Sequence, residues 1–446
     1  MDFKQNMVER KPYMQQLRSW RNQHVIKVVT GMRRSGKSTL LEMLADEIRQ
    51  DVGTGQVHFY SFEDPDVLEI GGYKAVYDHV KVRLAADAMN YVFLDEVQNV
   101  EQFERLVDGL FIKRNVDLYI TGSNAYLLSS ELATLLTGRY VEINILPFSF
   151  GEYYSVLANS QSFSKNKLFA DLQGENPQNF ALDKTFADLD GENPQNFIFS
   201  KAFADLSFRN YLYVGGIPQT VEVNNGLNYE LIISSIFSAI IEKDIFSRHN
   251  VYSKPTFYKI ADFILDSVGS YISPNSIANV LKNEKVAIDN ETVSRYLKIL
   301  TDAYLICKAP RYEIKGKGLL ATQDKYYLTD VGFRHIRLSK KRDDDLGHLL
   351  ENVVYLELVR RNKNVFVGKI QDKEVDFVAI GYSGYVSYYQ IAFSVQDGQT
   401  LERELAPLRA IRDANPKYLL SADWDTDPVY DGIRKLNVIN WLLCKY

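Results

Sequence analysis

Eight consecutive residues, Gly31-Met32-Arg33-Arg34-Ser35-Gly36-Lys37-Ser38, carry the spacing of a phosphate-binding loop, G-x-x-x-x-G-K-[ST]. Glycines at 31 and 36 permit a tight turn whose backbone N–H groups converge on an anion, and a helix starting there adds the positive end of its dipole. In that arrangement Lys37 reaches the β- and γ-phosphates of a nucleoside triphosphate, and the Ser38 hydroxyl ligates Mg2+. Arg33, Arg34, Ser35 and Thr39 complete the set expected to contact the nucleotide. The same chemistry needs carboxylates, and Tyr91-Val92-Phe93-Leu94-Asp95-Glu96 supplies an apolar run ending in two, the pattern called Walker B. Asp95 would hold Mg2+ through water and Glu96 would act as general base on the attacking water. Asn124, past the end of the apolar run 118–121, is placed to sense the γ-phosphate. ATP and Mg2+ are the ligands this constellation requires.

Bringing such groups together takes a parallel sheet whose carboxyl edge they share. Residues 25–30 are β-branched and bounded by polar residues, so they read as the strand that feeds the loop. Leu40, Leu41, Leu44 and Ile48 follow at helical spacing, which predicts a helix over residues 39–49. Further strands are expected at 56–61, 91–95, 118–121 and 140–145, with Glu63 just beyond the tip of the second. An amphipathic helix over 125–137 would end at Gly138 and deliver Arg139 to the start of the last strand. From that amino end Arg139 faces away from its own phosphates. It could reach a neighbouring subunit as an arginine finger in a homo-oligomer, or it could satisfy helix-end carbonyls or a carboxylate.

The loop, the Leu94-Asp95-Glu96 run, Thr121-Gly122-Ser123-Asn124, Gly138-Arg139 and Leu146-Pro147-Phe148-Ser149-Phe150-Gly151-Glu152 together resemble the bacterial and archaeal AAA-type P-loop ATPases that end in a domain related to PD-(D/E)XK nucleases. The resemblance spans nearly the whole chain outside one insertion. It implies an α/β protein: a P-loop NTPase parallel sheet core over 1–155, a helical lid and winged-helix region over 209–335, and a nuclease-like α/β domain over 340–446.

The insertion, 160–208, contains a near-identical twelve-residue unit at 169–180 and 186–197, with a truncated third copy starting at Phe203. Near-identity at a constant offset points to recent tandem duplication, and the Gly-Glu-Asn-Pro breakers allow only short helical turns. A surface protrusion is expected, with partner binding as the alternative. In the middle region Ser273 and Pro274 open a short helix and a second runs from 290 to 303, a helix-turn-helix. Runs at 305–308 and 325–328 around Lys315-Gly316-Lys317-Gly318 would add a wing. Residues 251–320 hold ten Lys or Arg against seven Asp or Glu, an excess of three, in a chain of net charge −5. DNA is thus a candidate partner through Arg295, Lys298, Arg311, Lys315 and Lys317, although winged helices also serve as packing modules. In the C-terminal region the nuclease pattern would use Glu351, Asp376 and a later Glu-x-Lys, which here reads Gln390-Ile391-Ala392 with no lysine beside it. A nuclease-like fold without nuclease activity is expected.

Hydrophobic content of 46% and charged content of 24% over 446 residues fit several globular domains in the cytoplasm. Cys307 and Cys444 stand in neither a metal-ligand nor a C-x-x-C spacing, and the apolar run near 231–241 is too short for a membrane span. Two functional classes lead, an Mg2+-dependent ATPase acting as a switch or motor and an ATP-gated DNA-binding regulator with negligible turnover, while a third, an active nuclease, is disfavoured by Ala392.

Overall fold

The structure is a computed structural model and describes residues 8–123, 138–159, 201–222, 229–339, 345–425 and 427–444. The chain divides into two compact units, Met1–Pro147 with Asp302–Tyr304, and Phe148–Thr301 with Leu305–Tyr446.

In the first unit, strands β1 (Ile26–Thr30), β2 (Val57–Ser61), β3 (Asn90–Asp95), β4 (Val116–Thr121) and β5 (Tyr140–Asn144) form one sheet in the order β2-β3-β4-β1-β5. Every pairing is parallel. β1, β3 and β4 are buried at every residue, as a sheet covered on both faces requires. Successive side chains point to opposite faces. Val28, Val92, Leu94 and Ile120 therefore pack with Leu106 and Leu110 of the helix Phe103–Phe111, while Val29, Phe93 and Tyr119 meet Leu40, Leu41 and Leu44 of the helix Lys37–Val52. The helix Lys11–Ser19 adds Tyr13, Met14 and Leu17 to this second face. The strands lie within about two residues of their expected limits, and the first long helix extends past both ends of 39–49, starting directly after Gly36 in the left-handed region and running to Gly53. The expected helix over 125–137 lies outside the described residues.

The second unit is built on a nine-stranded mixed sheet. Its strands are β6 (Tyr271–Ile272), β7 (Ile306–Glu313), β8 (Gly318–Leu328), β9 (Asn364–Ile370), β10 (Lys373–Ile380), β11 (Val386–Ala392), β12 (Lys417–Ser421), β13 (Val429–Tyr430) and β14 (Ile433–Asn437), in the order β13-β14-β12-β11-β10-β9-β7-β8-β6. The helix Pro274–Asn283 starts with the expected Ser273 cap and a reciprocal Ser276 bond, and is followed by the helix Asn290–Asp302 and the β7–β8 hairpin. One expectation needs revision: the middle and C-terminal regions share a sheet. β7 pairs with β9 in parallel register, Arg311 opposite Val367 and Glu313 opposite Lys369. The helix Leu346–Arg361 reinforces the join, since the Asn352 amide hydrogen-bonds both the N–H and the C=O of Leu328 at 2.6 and 2.9 Å.

The third repeat copy is also reassigned. Phe203, Leu206 and Phe208 are buried in the helix Lys201–Val214, with Phe203 against Tyr154 and Phe208 against Phe150 of the helix Phe150–Asn159. Those rings make the end of the 160–208 segment part of a core, while the two full copies lie outside the described residues. Nearby, Asp330 accepts the N–H groups of Gly216 and Gly332 at 2.7 and 2.9 Å. A Cβ on Gly216 would stand 2.2 Å from the Phe148 carbonyl oxygen, so only glycine admits this approach.

Candidate nucleotide-binding site

The loop between β1 and the helix Lys37–Val52 holds the geometry that its glycines permit. Gly31 has φ of 137°, and a Cβ there would stand 2.2 Å from the carbonyl oxygen of Ile145. Gly36 has φ of 96° and caps the helix with no side chain bonded to its first N–H groups, leaving them available to an anion. Ser35 is fully buried, and its Oγ has no hydrogen-bond partner among the described residues. Lys37 is buried, with Nζ donating to the carbonyl oxygens of Gly31 and Met32 at 3.2 Å each. Arg34 and Thr39 are exposed, and Arg33 meets Glu63 at 3.5 Å.

β4 lies between β1 and β3, which sets the loop and the carboxylates around the tip of one strand. Asp95 accepts hydrogen bonds from Ser38 Oγ at 2.9 Å, Thr121 Oγ1 at 2.7 Å and Ser61 Oγ at 3.2 Å. Burial pushes the Asp95 pKa above its ordinary value, opposed by these three hydroxyls. Glu96 sits in the left-handed region at φ 51°, with its N–H donated to Thr121 Oγ1 at 2.8 Å. Its carboxylate lies 3.6 Å from Lys37 Nζ and accepts from the Gln98 amide. Burial would raise its pKa, but the Lys37 charge and the Gln98 hydrogen bond hold it below the usual glutamate value. Glu96 is thus held in its ionised form, the form that can accept a proton, at the cost of some basicity.

The residues fit Mg2+ as well as nucleotide. A hydroxyl and a carboxylate, Ser38 and Asp95, meet at the helix start, a hard oxygen pair of the kind that holds Mg2+ together with substrate phosphates. Among the described residues no group of three His, Cys, Asp or Glu side chains is placed to hold a metal alone.

Asn124 lies outside the described residues. Arg139 is at the amino end of β5, where its carbonyl accepts from Ile26 N–H at 2.8 Å, and its guanidinium is 3.1 Å from Asp108. It occupies the edge of the sheet opposite Gly31, paired with a carboxylate. Three positioning residues escaped the sequence reading. Buried Arg10 donates to the carbonyl oxygens of Ser35 at 3.0 Å and Pro147 at 3.1 Å, fastening the loop to the segment after β5. Thr121 and Gln98 hold the two carboxylates. No motif announces Arg10, since its partners are backbone atoms far along the chain.

Of the proposed DNA contacts, Arg295, Lys298, Lys315 and Lys317 are exposed, whereas Arg311 is part-buried with its guanidinium 4.5 Å from the centre of the Tyr271 ring. Its place on β7, between β9 and β8, withdraws it from the surface set. The C-terminal carboxylates bring a second correction. Glu351 and Asp376 do have a lysine nearby: Lys325, from β8, donates to Glu351 Oε1 at 2.9 Å. No helix among the described residues is long and apolar enough to cross a membrane.

The parallel sheet and the glycine loop give the first unit a P-loop NTPase fold, and a family model described as "AAA domain" matches residues 23–154. A second, "Domain of unknown function (DUF8612)", matches residues 205–344. The chain belongs to one family with an uncharacterized protein of Haemophilus influenzae, being 34% identical to it over 440 residues, 98% of this chain and 99% of that protein. It is 26% identical over 393 residues to the uncharacterized protein MJ1544 of Methanocaldococcus jannaschii, 87% of this chain and 79% of that one. Among solved structures, the Walker-type ATPase PABY2304 of Pyrococcus abyssi overlaps 75% of this chain and 96% of its own at 13% identity and a TM-score of 0.44. Cdc6p of Pyrobaculum aerophilum overlaps 78% and 96% at 14% identity and a TM-score of 0.28.

Proposed function

We propose that the first unit binds ATP with Mg2+ and hydrolyses it, and that the cycle drives a conformational switch or motor acting on DNA. The observation that carries this reading is the convergence of Ser38 and Asp95 at 2.9 Å beside the Lys37–Glu96 pair. The loop amides and Lys37 bind and orient the phosphates, while Ser38 and Asp95 hold the ion. Bound Mg2+ supplies charge neutralisation on the phosphates. Glu96 takes a proton from the water that attacks the γ-phosphorus, the bond to the β–γ bridging oxygen breaks, and ADP and phosphate leave. Asn124 senses the γ-phosphate in this reading.

Exposed Arg295 and Lys298 on the helix Asn290–Asp302, with Lys315 and Lys317 in the β7–β8 turn, support a winged-helix contact to DNA phosphates. The C-terminal strands complete the reading as a nuclease-like fold without phosphodiesterase activity. A second reading, an ATP-gated DNA-binding regulator with negligible turnover, is favoured by one observation: the Lys37 charge at 3.6 Å holds the Glu96 pKa down and so weakens it as a base.

Phosphate release with and without DNA separates the two. Lys37→Ala is expected to lose ATP binding, and Glu96→Gln to keep binding while losing turnover. Equal loss of binding in both variants would overturn the assignment of Glu96 as base. Wild-type turnover no higher than that of Glu96→Gln, with or without DNA, would select the regulator.

A further inference from the structure

The residues that seat the start of the helix Lys201–Val214 occur three times in this chain. Phe203 is 1% exposed, its ring 5.0 Å from that of Tyr154 on the helix Phe150–Asn159. The Asp205 carboxylate accepts the Trp424 indole N–H, with the nitrogen 2.8 and 3.0 Å from its two oxygens. The Lys201 ammonium lies over the same indole, 4.9 Å from its ring centre, and Ala204 and Leu206 are buried. Tyr154 and Trp424 thus mark a seat that engages Lys-x-Phe-Ala-Asp-Leu through a cation, a ring, a carboxylate and two small or apolar side chains. The sequence carries that hexapeptide twice more, as Lys167-Leu168-Phe169-Ala170-Asp171-Leu172 and as Lys184-Thr185-Phe186-Ala187-Asp188-Leu189. Only the second position differs among the three, and none of these contacts uses Ala202. The tandem duplication therefore multiplied a segment that contains its own docking residues.

We propose that the units 167–172 and 184–189 are alternative occupants of this seat, each able to take the place of Lys201–Leu206 within the same chain. Every contacting group of the seated unit is present in the spare ones, so the seat can make the same contacts with any of the three. What differs is the sequence that follows. After Leu206 the helix runs on to Val214 with Phe208 and Tyr211 buried, whereas Leu172 and Leu189 are followed two residues on by Gly-Glu-Asn-Pro, which ends a helix. Covalent continuity keeps Lys201–Leu206 seated in the wild-type chain, and a single truncation such as Phe203→Ala does not dislodge it. Exchange becomes favourable once several of the seated contacts are lost. With 184–189 in the seat, residues 190–206 form a loop returning to Ser207, and the cost of closing a loop grows only slowly with its length. A tethered unit also has a high effective concentration, which favours it over a unit from a second molecule. All of the seat residues belong to the second unit of the chain, so the inference is independent of the ATP chemistry at Lys37.

The test compares the full chain with a chain lacking residues 164–197, which contains neither spare unit. Phe203→Ala, Asp205→Ala and Leu206→Ala are combined, removing the ring, the carboxylate and the leucine of the seated unit while keeping helix-forming residues. In the full chain this triple variant should fall no further in unfolding midpoint than Phe203→Ala alone, because a spare unit takes the seat. In the shortened chain it should fall about 10 °C further than Phe203→Ala does, since nothing replaces the lost leucine or pairs the indole N–H. Adding Phe169→Ala and Phe186→Ala to the full-chain triple variant should reproduce that extra loss, and none of these midpoints should depend on protein concentration. An equal fall in both chains would overturn the proposal, as would a rescue that survives Phe169→Ala with Phe186→Ala. Rescue that grows with protein concentration would overturn the same-chain assignment and place the unit in the seat of a second molecule. Failure of the triple variant to fold in the full chain would also overturn it, because folding there is the expected result. Failure in the shortened chain alone supports it, as the expected difference at its extreme.

Discussion

Thr121→Val keeps a buried side chain of nearly constant volume and deletes one hydroxyl. That hydroxyl donates to Asp95 at 2.7 Å and accepts the Glu96 N–H at 2.8 Å. Burial already raises the Asp95 pKa, and Thr121 is the leading group that opposes it. A hydrogen bond to a charged group contributes roughly 1.5–3 kcal/mol, and one pKa unit corresponds to about 1.36 kcal/mol. Losing Thr121 should therefore raise the Asp95 pKa further. The sign for stability follows from a raised carboxyl pKa: the contribution of Asp95 is fully present below its unfolded value and is lost as pH rises through the folded one. The variant moves the upper end of that window higher. For the ligand the sign is opposite, because Asp95 must be ionised to hold Mg2+. The acid limb of Mg2+-dependent nucleotide affinity should shift to higher pH, measured with a fluorescent ATP analogue in Mg2+ and in EDTA across the acid-to-neutral range. The orphaned Glu96 N–H should cost a further 1–3 kcal/mol or so in denaturant unfolding. A folded variant whose acid limb coincides with that of wild type would refute the idea that Thr121 keeps Asp95 charged.

The clasp on Asp330 predicts a second pH effect. Its carboxyl is fully buried and pushed up to about 7, so its stabilising contribution is complete below the unfolded value and is lost as pH rises through about 7. Asp330→Asn should flatten that decline, seen as a smaller loss of unfolding midpoint between mildly acid and mildly alkaline buffer, and an unchanged slope would discount Asp330. Arg139→Ala should lower stability by at most about 1 kcal/mol, since its pairing with Asp108 is half exposed, and should leave turnover unchanged. A thousandfold or so loss of turnover, restored by mixing with Glu96→Gln protein, would instead establish a finger acting on a neighbour. Deleting residues 164–197 should leave the unfolding midpoint and ATP affinity nearly unchanged, whereas Phe203→Ala should cost about 3–5 kcal/mol because that ring is 1% exposed. Similar midpoints for the two would show that the third repeat copy is not core.

Local spacing alone determined much of the first unit. Gly31, Gly36, Lys37 and Ser38 act within eight residues of chain, and β1 and β3 are fully buried parallel strands read from their β-branched and apolar residues. Asp95 and Glu96 were legible for the same reason, as polar residues closing such a run. Contacts between distant segments left no comparable trace. Arg10 reaches the carbonyl oxygens of Ser35 and Pro147, and a backbone acceptor has no residue type to signal it. The register that sets Arg311 opposite Val367, and so merges the middle region with the C-terminal strands, is a non-local pairing that no period encodes. Lys325 shows the limit most plainly, because a lysine sought near residue 392 is supplied from a different hairpin and meets Glu351 and Glu374 only after the sheet has formed. Periodicity and motif spacing record what neighbouring residues do to one another, while burial and charge pairing between remote segments exist only once the chain has packed.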